Sequence, residues 1–245
     1  MLSLELITVR RMLSLSRIRG ELRRDGPRLL RKVSRKLVVG EERLEQDEPE
    51  TLAAYAKDEN LSARTLKSLA RKQAVPFLKV TDLNHPEAER ALREVEPDVV
   101  VFSGGGLIRD NILSIPRQGI LNCHAGILPP YRGMDVVEWA LLEVGKTPPL
   151  IGMTCHFMDK GVDTGPILKT HPLDLQTGDT ITAIRKRLQP AMVDLMMATL
   201  RDLAQGQITP HNQLSSDGRQ YFVMHPRIKS IAAKRVAAMT KPIEW

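Results

Sequence analysis

The stretch Asp98–Ile108 reads DVVVFSGGGLI and indicates the fold class. A largely apolar run, Asp98–Phe102, begins after Pro97 and ends before three consecutive glycines. A short apolar run without alternation is typical of a strand buried on both faces, as in a parallel sheet. The whole stretch is too short and too rich in glycine to span a bilayer, which requires about 20 apolar residues.

Outward from this strand, segments with strand and helix character alternate along the chain. Further strands are predicted at Leu2–Val9, Phe77–Val80, Gly119–His124, Ile151–Phe157 and Pro166–Pro172. Helices are predicted at Arg17–Leu37, Leu52–Ala74, Asn84–Val95, Val136–Val144 and Asp179–Ala204. This alternation predicts an α/β fold with a doubly wound, mostly parallel, Rossmann-like sheet.

Composition and cysteine content narrow the class of protein. The 245 residues are 42% hydrophobic and 27% charged, which argues against a wholly disordered chain. Two cysteines cannot build a disulfide framework, so a reducing compartment is expected. We therefore expect a cytoplasmic protein without a membrane span.

Charge is concentrated near the start of the chain. The segment Arg10–Lys36 carries eleven Lys and Arg residues against two acidic ones, whereas Glu41–Glu50 carries six carboxylates and one Arg. The basic segment would attract phosphate-bearing partners such as RNA or an anionic membrane surface, or it forms a solvated helix face. The acidic segment is expected to be an exposed linker.

Two polar side chains end the predicted strand Gly119–His124. Side chains alternate along a strand, so Asn122 and His124 project to the same side. An amide can donate to a developing oxyanion, and an imidazole can move a proton near neutral pH. Taken alone, this pair is a weak signal and more typical of a structural role. Asp163 lies in a glycine-flanked turn, either solvated or orienting His124, where it would raise the His124 pKa.

Three separated motifs together give a stronger signal. Asn122–Gly133 (NCHAGILPPYRG) contains Asn-x-His, a Leu-Pro loop and Arg-Gly, and His156–Leu168 (HFMDKGVDTGPIL) contains an Asp-x-Gly-Pro turn. In order and spacing these motifs resemble the folate-dependent formyltransferases. That family includes glycinamide ribonucleotide formyltransferase, methionyl-tRNA formyltransferase and the amino-sugar N-formyltransferases. The resemblance covers roughly residues 75–205.

The resemblance implies an enzyme of one-carbon metabolism that uses 10-formyltetrahydrofolate as co-substrate. A primary amine would attack the formyl carbon and form a tetrahedral intermediate. Catalysis would fall to Asn122 as oxyanion donor and to protonated His124, which adds charge stabilisation. Proton movement would run through His124 or through water held by Asp163. No metal and no covalent enzyme intermediate are implied.

The resemblance also assigns co-substrate residues, and the surrounding sequence suggests acceptor residues and domains. The co-substrate would contact two segments, Gly106, Leu107, Ile108 and Arg109, and Gly126, Ile127, Leu128 and Pro129. Tyr131 and Arg132 would face the acceptor, although a solvated Arg132 is an equal alternative. The implied domains are an N-terminal segment 1–50, partly strand and helix, a catalytic domain 51–207 and a C-terminal extension 208–245.

The ends of the chain depart from the family pattern. The chain opens at what resembles the second strand, so the usual first strand is expected to be missing. About forty residues follow Ala204, too few for the β-barrel of methionyl-tRNA formyltransferase. We therefore expect a small phosphorylated amine or a sugar nucleotide as acceptor, with a nucleic acid less favoured. Three alternatives remain. The protein could be a methionyl-tRNA formyltransferase-like enzyme or a 10-formyltetrahydrofolate hydrolase. It could also be a non-catalytic protein that binds RNA or phosphate through Arg10–Lys36.

Two other chemistries are disfavoured. Cys123-His124 and Cys155-His156 place adjacent side chains on opposite faces of a strand, so neither pair can chelate one zinc ion by itself. A serine hydrolase built on Ser103 lacks the leading glycine of the G-x-S-x-G elbow.

Overall fold

The computed structural model describes residues 2–10, 52–58, 65–104, 106–143 and 148–241. The chain divides into two compact units, Leu4–Val95 and a unit formed by Glu96–Trp245 with Met1–Ser3. The helix expected at Arg17–Leu37 and the acidic segment Glu41–Glu50 lie outside the described residues.

The unit Leu4–Val95 is built on two parallel strands. Strand β1 (Ile7–Arg10) pairs with β2 (Phe77–Val80), with Ile7 opposite Phe77. Its helices are α1 (Leu52–Asp58), α2 (Leu66–Lys72) and α3 (Pro86–Val95). Strand β2 has the predicted bounds, whereas β1 starts later than the predicted Leu2–Val9.

The second unit contains a four-stranded sheet in the order β3-β4-β6-β7. Its strands are β3 (Val99–Phe102), β4 (Gly119–His124), β6 (Gly152–Phe157) and β7 (Ile167–Pro172). The β3–β4 pair is parallel, and the β4–β6 and β6–β7 pairs are antiparallel. Burial of β3 on both faces was the wrong expectation, because β3 is at the end of this sheet among the described strands and Val101 is 46% exposed.

A smaller sheet and several helices also belong to the described part of this unit. Strand β5 (Tyr131–Gly133) pairs in parallel with β8 (Arg219–Tyr221). The helices are α4 (Asp110–Leu113), α5 (Val136–Leu142), α6 (Ile181–Ala204, with Pro190 inside it) and α7 (Pro226–Met239). Its larger hydrophobic core includes Leu141, Met153, Ile184, Leu188 and Val236. No helix in the described ranges is long and apolar enough to cross a membrane, and a cytoplasmic location stays a prediction.

The segment after α6 is more ordered than the sequence indicates. The predicted strands and helices end at Ala204, whereas β8 and α7 both lie beyond it. The irregular loop expected at Ile127–Gly133 contains β5 because β8 supplies its partner strand. An isolated antiparallel bridge between Ile167 and His211 joins the same segment to β7.

Candidate active site

Strand β4 carries two of the predicted site residues at its carboxyl end. In the antiparallel pairing with β6, Asn122 lies opposite His156 and His124 opposite Thr154. The turn after β6 brings Asp163 to the same place, with 3.4 Å between its Oδ2 and His124 Nδ1. The structure therefore brings together the three side chains that the sequence analysis selects.

Asp163 is held by several groups. Its Oδ2 accepts a hydrogen bond from the Gly133 backbone N–H at 2.9 Å, and its Oδ1 lies 3.5 Å from His156 Nε2. Its φ of 53° places a non-glycine residue in the left-handed region, which usually requires support from the surrounding structure. The carboxylate is thus aimed at the two imidazoles by a fixed backbone.

The His124 ring is fixed by a backbone carbonyl. Its Nε2 lies 2.8 Å from the Tyr131 carbonyl oxygen. Because a carbonyl can only accept, Nε2 carries a proton and Nδ1 is the titrating atom, facing Asp163. Burial lowers the His124 pKa below its ordinary value of 6.5, and Asp163 and the Tyr131 carbonyl offset only part of this effect.

Asp163 raises the His124 pKa as expected, but burial has the larger effect and the net pKa is lowered. Asp163 does favour the charged imidazole, but a side chain only 8% exposed loses more hydration than the carboxylate returns. At neutral pH this favours the neutral ring, with a lone pair on Nδ1. A protonated His124 that stabilises the tetrahedral intermediate stays a prediction.

The Asp163 pKa lies below its ordinary value although the carboxylate is largely buried. Burial raises this pKa, yet the proximity of His156 and His124 and the hydrogen bond from the Gly133 N–H together lower it below its ordinary value. Asp163 is therefore ionised at neutral pH.

His156 is a member of this cluster that the sequence analysis did not select. Its Nδ1 lies 2.8 Å from the Phe157 carbonyl oxygen, and its Nε2 lies 3.3 Å from Asn122 Nδ2. These contacts fit a ring protonated on Nδ1 that accepts from the Asn122 amide at Nε2. One amide hydrogen of Asn122 then orients the group, and the second stays available to another acceptor. The strand pairing could have indicated His156, but one sequence does not reveal that register.

The loop after β4 is held by Thr154. The buried Thr154 hydroxyl accepts from the Leu128 N–H at 3.0 Å and donates to the Gly126 carbonyl at 2.9 Å. Gly126 and Leu128 are buried, whereas Ile127 and Pro129 are half-buried. The residues of this loop expected to bind the co-substrate are thus tied to the strand pair that carries His124.

The second expected binding segment is more open. Gly106 has a φ of 119°, which favours glycine, and the neighbouring Leu107 is 69% exposed. An ion pair of 2.7 Å between Lys160 and Asp110 joins the Asp163 turn to the start of α4. An exposed apolar side chain beside open glycine backbone, close to that turn, is suited to a flat ring system.

Tyr131 and Arg132 do not occupy the positions expected for acceptor contacts. The buried Tyr131 hydroxyl donates to Glu143, and its ring stacks on Tyr221. Arg132 is 4% exposed, and its guanidinium donates to the side-chain oxygen of Gln213. Both side chains form hydrogen bonds inside the protein. Arg132 is therefore neither solvated nor free to hold an acceptor as expected.

Cys123 and Cys155 face one another across the β4–β6 pair. Burial raises the pKa of Cys123 to about 12 and that of Cys155 to about 11. Such thiols are protonated at neutral pH and unsuited to nucleophilic chemistry. Within the described residues, no group of three or more His, Cys, Asp and Glu side chains could hold a metal ion.

Comparison with known proteins identifies the class to which this site belongs. The model of the formyl transferase family matches residues 33–200, more than half of the chain. The chain belongs to the formyl transferase family, which confirms the resemblance given by the three motifs.

Individual relatives agree with this assignment. Methionyl-tRNA formyltransferase of Caldanaerobacter subterraneus is 31% identical over 155 residues, which cover 62% of this chain and 49% of the relative. The crystal structure of glycinamide ribonucleotide transformylase 1 from Symbiobacterium toebii is similar at 26% identity and a TM-score of 0.50, over 62% of this chain and 72% of that one. The chain spans about half the length of the curated relatives it matches.

A further solved structure supports the fold. The formyltransferase PseJ from Anoxybacillus kamchatkensis, solved with UDP-4,6-dideoxy-4-formamido-L-AltNAc and tetrahydrofolate, matches with a TM-score of 0.52 and 22% identity. The match covers 66% of this chain and 83% of that one. The predicted Rossmann-like α/β class is confirmed.

Proposed function

We propose that this protein transfers a formyl group from 10-formyltetrahydrofolate to a primary amine. The observation that carries the proposal is the convergence of Asn122, His124 and Asp163 at the end of β4, in a chain of the formyl transferase family. The formyl carbon is the electrophile that the co-substrate supplies; the remaining chemistry falls to these side chains.

Asn122 stabilises the charge that develops on the formyl oxygen. Its amide is oriented by the contact with His156, so one N–H is fixed in place before the substrates arrive. A donor that is already oriented needs little rearrangement when the negative charge appears, which is the basis of oxyanion stabilisation. Removal of one such donor typically slows a reaction by about 10²–10³-fold.

The His124–Asp163 pair takes up the proton that the attacking amine must lose, and this proton comes to lie on Nδ1 between the two side chains. The neutral imidazole presents its free lone pair at Nδ1, and the ionised Asp163 lies 3.4 Å from that atom. Once Nδ1 is protonated, it becomes a donor to Asp163 Oδ2, and the carboxylate stabilises the imidazolium. The proton then returns to the leaving nitrogen of the co-substrate, directly or through a water molecule.

We propose that the co-substrate binds between Gly106–Arg109 and Gly126–Pro129. Support comes from the exposed Leu107 and the open backbone of Gly106 in the first segment. The second segment is tied to β6 by Thr154. Tetrahydrofolate in the PseJ structure is consistent with a donor of this chemistry.

Two classes of acceptor have support. A small phosphorylated amine or a sugar nucleotide is our first candidate, consistent with the glycinamide ribonucleotide transformylase and PseJ similarities. Methionyl-tRNA is the second, since the curated relatives at 31% and 34% identity bear that activity in their names. The basic segment Arg10–Lys36 would suit a nucleic acid.

A single assay separates these functions. Purified protein is incubated with 10-formyltetrahydrofolate and, in separate reactions, glycinamide ribonucleotide, amino-sugar nucleotides, methionyl-tRNA or no acceptor. We expect formylated product with one amine and release of tetrahydrofolate that depends on that amine. Release without any amine would indicate a hydrolase. Absence of donor turnover, together with RNA binding that weakens steeply with salt, would favour a non-catalytic binding protein.

A further inference from the structure

Gln213 contacts the turn that carries Asp163. It lies in the segment that follows α6, outside every motif of the sequence analysis. Its side-chain Nε2 donates to the Asp163 carbonyl oxygen at 3.2 Å and to the Gly165 carbonyl oxygen at 2.6 Å. One amide group therefore holds the backbone at Asp163 and two residues beyond it.

The orientation of the Gln213 amide is fixed from the other side. Arg132 donates to Gln213 Oε1 from Nε at 3.2 Å and from Nη2 at 3.1 Å. The same Nη2 donates to the Leu214 carbonyl oxygen at 2.9 Å. Because arginine can only donate, the oxygen of Gln213 must face Arg132 and its nitrogen must face the turn.

The Asp163 turn has a conformation that requires support. A φ of 53° is uncommon for a residue with a side chain and persists where neighbouring groups enforce it. Backbone hydrogen bonds of 2.8 Å in both directions between Ile167 and His211 secure the chain just beyond the turn. Gln213 acts closer to the carboxylate, on the carbonyl of Asp163 itself.

We propose that Gln213 is a positioning residue for the proposed formyl transfer, holding the Asp163 turn so that the carboxylate stays against His124. This inference rests on the proposed function for its kinetic consequences. The structural part of the inference, that Gln213 maintains the turn, does not depend on any substrate.

Two substitutions separate the contacts that Gln213 makes. Gln213→Met keeps a similar volume and removes all of them. Gln213→Glu still accepts from Arg132 but cannot donate to the two carbonyls. Gln207→Met is the matched control, because the Gln207 side chain is exposed in the same segment. We expect kcat to fall about tenfold in both Gln213 variants, with KM changed less than twofold and wild-type rates in the control.

A double-mutant cycle shows whether the effect passes through Asp163. In an Asp163→Asn background, Gln213→Met should lower kcat by less than twofold, because the carboxylate that it positions has been removed. A tenfold loss in both backgrounds, or full kcat in Gln213→Glu, would overturn the proposal. Should Gln213→Met fail to fold, Gln213→Glu carries the same cycle, since its contact with Arg132 is retained.

Hydrogen exchange tests whether Gln213 maintains the Asp163 turn, without any measurement of activity. The Gly133 amide donates to Asp163 Oδ2, so its protection reports the position of the carboxylate. We expect this amide to exchange at least about tenfold faster in Gln213→Glu than in Gln207→Met. Equal exchange rates would refute the positioning role, whereas a wild-type protein that transfers no formyl group would refute only the proposed function.

Discussion

The His124 imidazole faces the Asp163 carboxylate, with 3.4 Å between Nδ1 and Oδ2, and both side chains are largely buried. His124 Nε2 donates to the Tyr131 carbonyl, so Nδ1, the nitrogen next to Asp163, is the atom that can gain or lose a proton. Burial keeps the resting ring neutral, and Asp163 stabilises the charged ring once it forms. A base that is neutral at rest and stabilised when protonated is what amine attack requires.

Asp163→Asn should lower the rate and move the pH profile. The carboxylate raises the His124 pKa against the effect of burial, so its removal lowers that pKa further. The acid limb of kcat/KM, which requires neutral His124, should therefore move to lower pH, while kcat falls about 10²-fold. Asp98→Asn removes an exposed ion pair with Arg117 and is the control. It should keep the wild-type kcat and the wild-type acid limb. An acid limb that stays in place or moves to higher pH would exclude this pairing.

His124 should also contribute to the pH dependence of stability. Its folded pKa lies below its ordinary value of 6.5, so the unfolded chain binds the proton first as the pH falls. The free energy of unfolding is therefore lost from about pH 6.5 downward until the folded pKa is reached, with a slope of at most about 1.4 kcal/mol per pH unit.

Urea unfolding at pH 5 to 8 checks this contribution. His124→Gln can still donate to the Tyr131 carbonyl but does not titrate, so its stability should change less over this range than that of the wild type. His171→Gln alters an exposed histidine on β7 and should keep the wild-type slope. The same slope in all three proteins would contradict the lowered His124 pKa.

Gly126→Ala should disturb the site through its close packing. A Cβ at this position would lie 2.8 Å from both His124 Nε2 and Val136 Cγ2 and 3.0 Å from the Tyr131 carbonyl oxygen. We expect a loss of about 1–3 kcal/mol in the free energy of unfolding, measured in urea. Gly104→Ala is the control, because its nearest contact would be an ordinary 3.7 Å. Equal stability of the two variants would show that the loop relaxes without cost.

Thr154→Val should destabilise the loop after β4. Valine has a similar shape but leaves the Leu128 N–H and the Gly126 carbonyl without their buried hydroxyl partner, at a cost of about 1–3 kcal/mol. Thr154→Ser keeps the hydroxyl and removes one methyl group, which costs about 1 kcal/mol. Chemical denaturation that ranks the valine variant at or above the serine variant would remove this role from Thr154.

The sequence predicts the strand and turn that carry the site well, but it predicts the residues around the site poorly. Gly119–His124 matches β4 because a short apolar run bounded by a glycine and a polar end leaves little ambiguity. The Asp-x-Gly-Pro turn likewise marks Asp163. The position of β3 at the end of the sheet among the described strands and the pairing of β5 with β8 depend on contacts between distant segments, which periodicity does not encode.

The protonation and orientation of the site depend on the same long-range contacts. The neutral state of His124 follows from its burial, which no local pattern measures. His156 reaches Asn122 only through the β4–β6 register, and Gln213 reaches Asp163 from a segment without helical or strand periodicity. Arg132 looks like a surface clamp in the sequence because its partner Gln213 lies far along the chain.

Asn122→Ala should slow formyl transfer more than any other single change in the site. Single-turnover transfer from 10-formyltetrahydrofolate to the accepted amine is measured for wild type and variant at saturating substrate. A loss of about 10²–10³-fold in rate with an unchanged fold is the predicted result, because Asn122 stabilises the developing oxyanion. A variant that transfers the formyl group at the wild-type rate would contradict the assignment of this cluster as the active site.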